Sequence, residues 1–258
     1  MIAKEWRDAR WKSLVALLLV VLWLFMLTPY EEFVADIMKH APNEDPIKNA
    51  LYDIGELYYL GGFFVLLPLA AILGVASMSA EVNNGTIFLL LSRPVSRTRS
   101  LLTKYAVSAV TLLVAAVLGK LLLIVAAAIR GYPVGQLGTT EAIVSVIVLW
   151  LGVLFVLGTA LFVSTVFRSI VASIVACALT LFLVFSLPTI GAEFYPWGYP
   201  GVMSERLSLL TYWMPTHYYY SDDFYGVGGY AFSNIFVCLI AAAIPLLAAL
   251  WLFNRKAY

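Results

Sequence analysis

Few side chains in this sequence could do chemistry, and most of them stand at the edges of long apolar runs. The densest group lies between Glu81 and Tyr105, where EVNNGTIFLLLSRPVSRTRSLLTKY sets Arg93, Arg97, Arg99 and Lys104 beside a single acid, Glu81. Bases next to an apolar run can bind lipid phosphate, pair with acids on a partner, or fix the orientation of a membrane span. None of these tasks makes or breaks a covalent bond. Within the stretch, Gly85 and Pro94 bracket Thr86-Ile87-Phe88-Leu89-Leu90-Leu91, an apolar run too short to cross a bilayer. It reads either as an amphipathic turn on the membrane surface or as a docking helix for a cytoplasmic subunit.

The other candidates are scattered. Lys120 lies inside an apolar run sixteen residues beyond Lys104, about 24 Å along a helix axis. It can snorkel to the headgroups or face a polar pathway, and its depth favours snorkelling. Residues 31–56 gather Glu31, Glu32, Asp36, Glu44, Asp45, Asp53 and Glu56 around His40. They lack the regular oxygen spacing of a hard-metal loop, so a solvated loop is expected. No G-x-x-x-x-G-K-[ST], H-E-x-x-H or G-x-S-x-G motif is present, and His40 and His217 are far apart. Cys177 and Cys238 sit in apolar runs and read as small buried hydrophobes. The expectation is no catalytic residue, no metal, no cofactor bound by this chain and no nucleic-acid partner. Residues 188–229 are Pro/Gly-broken and rich in aromatics, among them Tyr195, Trp197, Tyr212 and Trp213. These rings suit an outer membrane interface, or an aromatic-lined exit for an amphipathic or cationic substrate, and interfacial packing is the preferred reading ring by ring. Ser204–Trp213 can form a short helix dipping back toward the membrane.

The elements that must position these residues are membrane helices. Of 258 residues, 62% are hydrophobic and 12% charged, and the mean hydropathy is +0.92. Soluble domains carry about 25% charged residues, so a water-soluble single domain is excluded. Six segments are long and apolar enough to span: Ser13–Tyr30, Leu57–Ala80, Leu101–Ile129, Ala142–Phe167, Ile170–Leu187 and Tyr230–Phe253. Continuous apolar runs favour helices over the alternating strands of a barrel. Leu14–Leu27 is not followed by a small-residue cleavage site and is read as a retained span. With six spans, the termini share a side with the Glu81 loop and the Phe167–Ile170 turn. That side holds eleven bases and the other four, with Lys120 inside a span. Bases favour the cytoplasmic side, so both termini are expected there. Residues 1–12, with Trp6 and Trp11 among bases, suit either an interfacial helix or a plain charged anchor. Gly152, Gly158 and Ala160, and Ala172, Ala176 and Ala178, offer small faces for close helix packing. The predicted fold is all-α, a single membrane domain over residues 1–258.

Apart from Lys120, the span interiors carry almost no ionisable residues, whereas a proton- or sodium-driven carrier usually shows buried carboxylates. The expected energy source is another subunit, which returns attention to the Glu81 loop. There the order Glu81, Gly85-Thr86, an apolar stretch, Leu91-Ser92, Pro94-Val95-Ser96-Arg97 and Lys104 resembles the type 2 ATP-binding-cassette (ABC) transporter permeases of bacteria and archaea. The resemblance covers the whole chain in layout and about twenty-five residues as motif. It implies a multi-pass permease subunit in the cell membrane of a bacterium or archaeon, exporting a substrate along a path formed with a second permease copy or a homologous permease. It further implies an N-terminal interfacial helix, a re-entrant external segment before the last span, and a coupling helix formed by Asn84, Gly85, Thr86, Ile87, Phe88, Leu89 and Leu90. That helix, with Arg93 and Arg97, would dock on a separate nucleotide-binding subunit carrying ATP and Mg. Glu81 becomes a cytoplasmic gate candidate and Lys120 a pathway candidate. Two other classes remain as alternatives: a membrane anchoring or assembly protein that moves nothing, and a gradient-driven secondary carrier.

Overall fold

The computed structural model describes residues 15, 18, 58, 62–83, 96–129, 131, 134–136, 139–167, 169–194 and 232–255. Among them are five α-helices and no strand: α1 (Leu67–Asn83), α2 (Arg97–Ile129), α3 (Thr139–Val166), α4 (Ile170–Phe194) and α5 (Phe232–Arg255). A π turn, Gly62–Leu66, leads into α1, and a 3-10 turn, Val134–Gln136, lies between α2 and α3. The π turn ends two residues before Pro68, whose ring would clash with the carbonyl four residues back in a regular helix.

Three helical segments are long and apolar enough to cross a membrane: Arg97–Ile129, Ala142–Val166 and Ile235–Arg255. Leu67–Ser79 and Ile170–Val184 are shorter apolar helices. The five helices correspond to the second through sixth predicted spans. The first predicted span lies outside the described residues except for Val15 and Leu18, both helical and exposed. The interfacial helix, the coupling helix and the external segment beyond Phe194 also fall outside them.

Most boundaries differ from the sequence reading, and three of the differences bear on the residues discussed below. α1 continues past Ala80, so Glu81 lies in its last turn. α2 starts at Arg97, one turn before the predicted Leu101, because Ser96 caps it: its Oγ accepts the backbone N–H of Arg99 at 3.3 Å. Arg97 and Arg99 therefore belong to a helix and not to a loop. α4 runs through Pro188 to Phe194, seven residues past the predicted Leu187. Proline is a weaker stop in a membrane helix than in a soluble one, since neighbouring groups and local adjustment re-satisfy the freed carbonyl.

The centre of the described bundle is α3. In its apolar window 72% is buried, against 39% for α2 and 22% for α5. Val148, Val156, Leu157 and Leu161 are enclosed there, with α1 and α5 packed most closely against them. Apolar burial drives little association in lipid, so close backbone approach and interhelical hydrogen bonds carry more of it. Gly74 of α1 crosses α3 so tightly that a Cβ would lie 2.5 Å from that of Ala160 and 2.9 Å from the Leu157 carbonyl oxygen. Gly158 meets Pro245 of α5, where a Cβ would stand 3.2 Å from the ring. The expected small faces on α3 thus serve two different partners. On α4, Ala176 is partly buried beside Cys177, whereas Ala178 is exposed. Cys177 and Cys238 are free, buried and part of the hydrophobic clusters, as their apolar surroundings predicted. Trp150 Nε1 donates to the Ala109 carbonyl at 3.0 Å, tying α3 to α2, and the Ser79 and Ser173 hydroxyls share a hydrogen bond of 2.7 Å between α1 and α4.

Candidate functional site

α1 and α2 flank the stretch 84–95 and run antiparallel, so the end of one lies beside the start of the other. This brings Glu81 and Lys104 together. Lys104 Nζ lies 2.5 Å from Glu81 Oε1 and donates a second hydrogen bond, of 2.9 Å, to the Ser77 carbonyl. The lysine is 6% exposed and the glutamate 25%. Each charge alone would be costly at the margin of an apolar bundle, and a short charge-assisted bond offsets that cost. The link closes the base of the 84–95 connection.

The same polar end gathers α5. Thr98 Oγ1 and Asn254 exchange hydrogen bonds of 3.2 and 3.0 Å, joining the first turn of α2 to the last of α5. The Arg255 guanidinium stacks over the Trp251 ring, 4.4 Å from its centroid. Arg97 and Arg99 stand in the first turn of α2, Arg97 partly exposed and Arg99 exposed. Bases, an aromatic ring and polar caps collected at one level are what a membrane–water boundary selects.

At the other end of the α1–α2 pair, Lys120 is 5% exposed, with its Nζ 4.5 Å from the centroid of the Tyr58 ring. Tyr58 is fully buried and its hydroxyl donates to the Ala116 carbonyl at 3.1 Å. The cation is housed inside the bundle against an aromatic face and does not extend to the surface. This corrects the snorkelling expectation: depth along the helix says nothing about which face a side chain occupies. Lys104 and Lys120 thus hold the preceding segment at two levels.

Of the sequence-predicted residues, Glu81, Arg97 and Lys120 are described. Glu81 and Arg97 lie toward the same end, and Lys120 is apart from both. Asn84, Gly85, Thr86, Ile87, Phe88, Leu89, Leu90 and Arg93, and the aromatics Tyr195, Trp197, Tyr212 and Trp213, lie outside the described residues. Sequence reasoning quoted Lys104 without naming its partner, and it missed Ser77, Tyr58 and Asn254. The Glu81–Lys104 pairing had a signal: an acid closing one apolar run and a base opening the next, in helices joined by a short connection. Tyr58 had none, being one of three tyrosines within eight residues, Tyr52, Tyr58 and Tyr59.

Packed apolar helices, interhelical hydrogen bonds and a charged boundary define a helical multi-pass membrane protein. A family model described as ABC-2 family transporter protein matches residues 1–257, and the chain belongs to that family. It is thereby a membrane component of the permease type in ABC transport. No curated protein matches the chain.

Proposed function

We propose that this chain is the membrane permease of an ATP-driven exporter, worked by a separate nucleotide-binding subunit that docks on residues 81–99. The observation that supports this most is the Glu81–Lys104 ion pair. It couples the two helices flanking 84–95, so that a displacement there is passed on to both and is not lost in fraying their ends. In this reading Asn84–Leu90 form the coupling helix. Gly85 permits a sharp break from α1, and Thr86 caps the short helix. Ile87, Phe88, Leu89 and Leu90 bury in a groove of the partner, and Arg93 and Arg97 pair with its acids. The partner binds ATP and Mg, and its closure drives the coupling helices.

Six spans with both termini cytoplasmic complete the subunit, in the cell membrane of a bacterium or archaeon. Two permeases, identical or homologous, enclose the path. Glu81 stands at its cytoplasmic mouth, Lys120 is the candidate cation along it, and Tyr195, Trp197, Tyr212 and Trp213 belong to its outer end. Family membership favours this reading over the anchoring and secondary-carrier alternatives.

The test is nucleotide hydrolysis by the complex reconstituted in nanodiscs, with Phe88→Asp in the permease. A charge placed in a buried docking contact removes coupling while leaving the permease's thermal unfolding unchanged. Full permease-stimulated hydrolysis in that variant would refute the docking helix.

A further inference from the structure

α5 carries a proline, Pro245, in its interior. Proline has no N–H, so the Ala241 carbonyl one turn earlier loses its helical partner, and the ring crowds that carbonyl. Sharp helix kinks, of more than about 20°, occur mostly at such breaks. The packing of α5 changes at the same place. Before the proline, Cys238 and Ala242 belong to the large apolar core, together with Leu73 of α1, Leu112 of α2 and Val148 of α3. After it, Ala249 and Phe253 belong to a second, smaller core with Met78, Leu101 and Leu161, and Leu246 packs against that core. α5 therefore passes from one core to the other between Ala242 and Leu246, the turn that its proline weakens. α2 has no proline, and its Tyr105 packs against both cores.

α3 meets the weakened turn with a glycine. A Cβ on Gly158 would stand 3.2 Å from the Pro245 ring, 3.3 Å from the Leu246 amide nitrogen and 3.5 Å from the Ala242 carbonyl oxygen. Gly158 thus puts no side chain between the two helices at this level. Rods in contact at one level turn about it most easily, because the lever arm is zero there. Leu161, the α3 member of the smaller core, lies within a turn of Gly158, where movement is least. Farther along α5 the arm grows. From Pro245 to Arg255 is ten residues, about 15 Å of helix. A bend of about 20° carries that end about 5 Å. The end is tied to α2, since Asn254 and Thr98 exchange hydrogen bonds, and α2 is joined to α1 by the Glu81–Lys104 pair.

We infer that Pro245, set against Gly158, is a hinge that divides α5 into two halves. Residues 232–242 stay fixed in the large core, and residues 246–255 swing with the first turns of α2. The hinge stands on the packing of α5 and needs no partner. Its use, passing movement of residues 81–99 on to α5, rests on the proposed coupling.

The experiment measures spin-label distances by pulsed electron paramagnetic resonance in the permease alone, in nanodiscs, with Cys177→Ala and Cys238→Ala removing the native thiols. Labels go on exposed positions: Ile143→Cys on α3, paired with Phe236→Cys before the hinge or with Arg255→Cys after it. The 143–236 pair should give one narrow distance. The 143–255 pair should give a distribution broader by about 5 Å, the reach of the bend. Pro245→Ala restores the bond to the Ala241 carbonyl and should narrow the 143–255 distribution to the width of the other pair. Equal widths for the two wild-type pairs overturn the hinge, and that comparison needs no hinge variant. A broad 143–255 distribution that persists in Pro245→Ala overturns it as well, since the spread then comes from fraying of the helix end. Because no nucleotide-binding subunit is present, the outcome is read separately from that of the coupling test.

Discussion

Removing one partner of the Glu81–Lys104 pair should cost more than neutralising both. In Glu81→Gln, the Lys104 ammonium, 6% exposed, keeps the Ser77 carbonyl and a neutral amide oxygen as acceptors but loses its counter-charge. In Lys104→Met, the Glu81 carboxylate loses the ammonium but, at 25% exposure, can turn partly toward water. Glu81→Gln is therefore the more damaging single change. Breaking a fully buried pair costs about 3–5 kcal/mol, and an exposed pair contributes about 0–1 kcal/mol. With one partner buried and the other a quarter exposed, a coupling energy of about 2 kcal/mol is expected, roughly 30-fold in the unfolding equilibrium. The double variant Glu81→Gln/Lys104→Met should recover most of it. The assay is a double-mutant cycle on purified protein in mixed micelles, unfolded with dodecyl sulfate and followed by helix content. Strictly additive single effects, within about 0.5 kcal/mol, would show that the pair does not hold the two helices together.

Other substitutions probe the packing directly. Gly74→Leu must separate α1 from α3 at backbone contact distance, and should prevent stable folding in the same unfolding assay. Gly158→Ala, where the clearance from Pro245 is larger, should cost about 1 kcal/mol. Tyr58→Phe keeps the aromatic face for Lys120 and loses the bond to the Ala116 carbonyl, at about 1 kcal/mol. Tyr58→Leu loses both and should be worse by a further 1 kcal/mol or so. That further loss should vanish in a Lys120→Met background; if it persists, the cation–aromatic contact contributes nothing.

The helical class was legible because apolar runs of this length have no other stable form in lipid. Five of the six predicted spans have helical counterparts among the described residues, with ends shifted by as much as ten residues. The shifts have local causes: Ser96 caps α2 early, and Pro188 does not stop α4. The small residues of α3 pointed correctly to close packing, but composition could not say that Gly158 meets Pro245 while Ala160 meets Gly74. Both halves of the polar clamp stood in the motif, yet pairing them needed the antiparallel crossing of α1 and α2. Lys120 shows the limit most plainly. Its depth was readable from helix rise, whereas its inward direction depends on the rotation of α2, which the neighbouring helices set.

The central claim is that this permease works through a nucleotide-binding partner seated on its 81–99 segment. The most direct measurement is capture of the tagged chain from its native membranes in a gentle detergent, wild type beside Phe88→Asp. The account predicts a stoichiometric ATP-binding subunit with the wild type and its loss from the variant. Equal recovery of that subunit with both proteins would contradict the coupling site, and its absence from the wild type under conditions that preserve other membrane complexes would contradict the partnership itself.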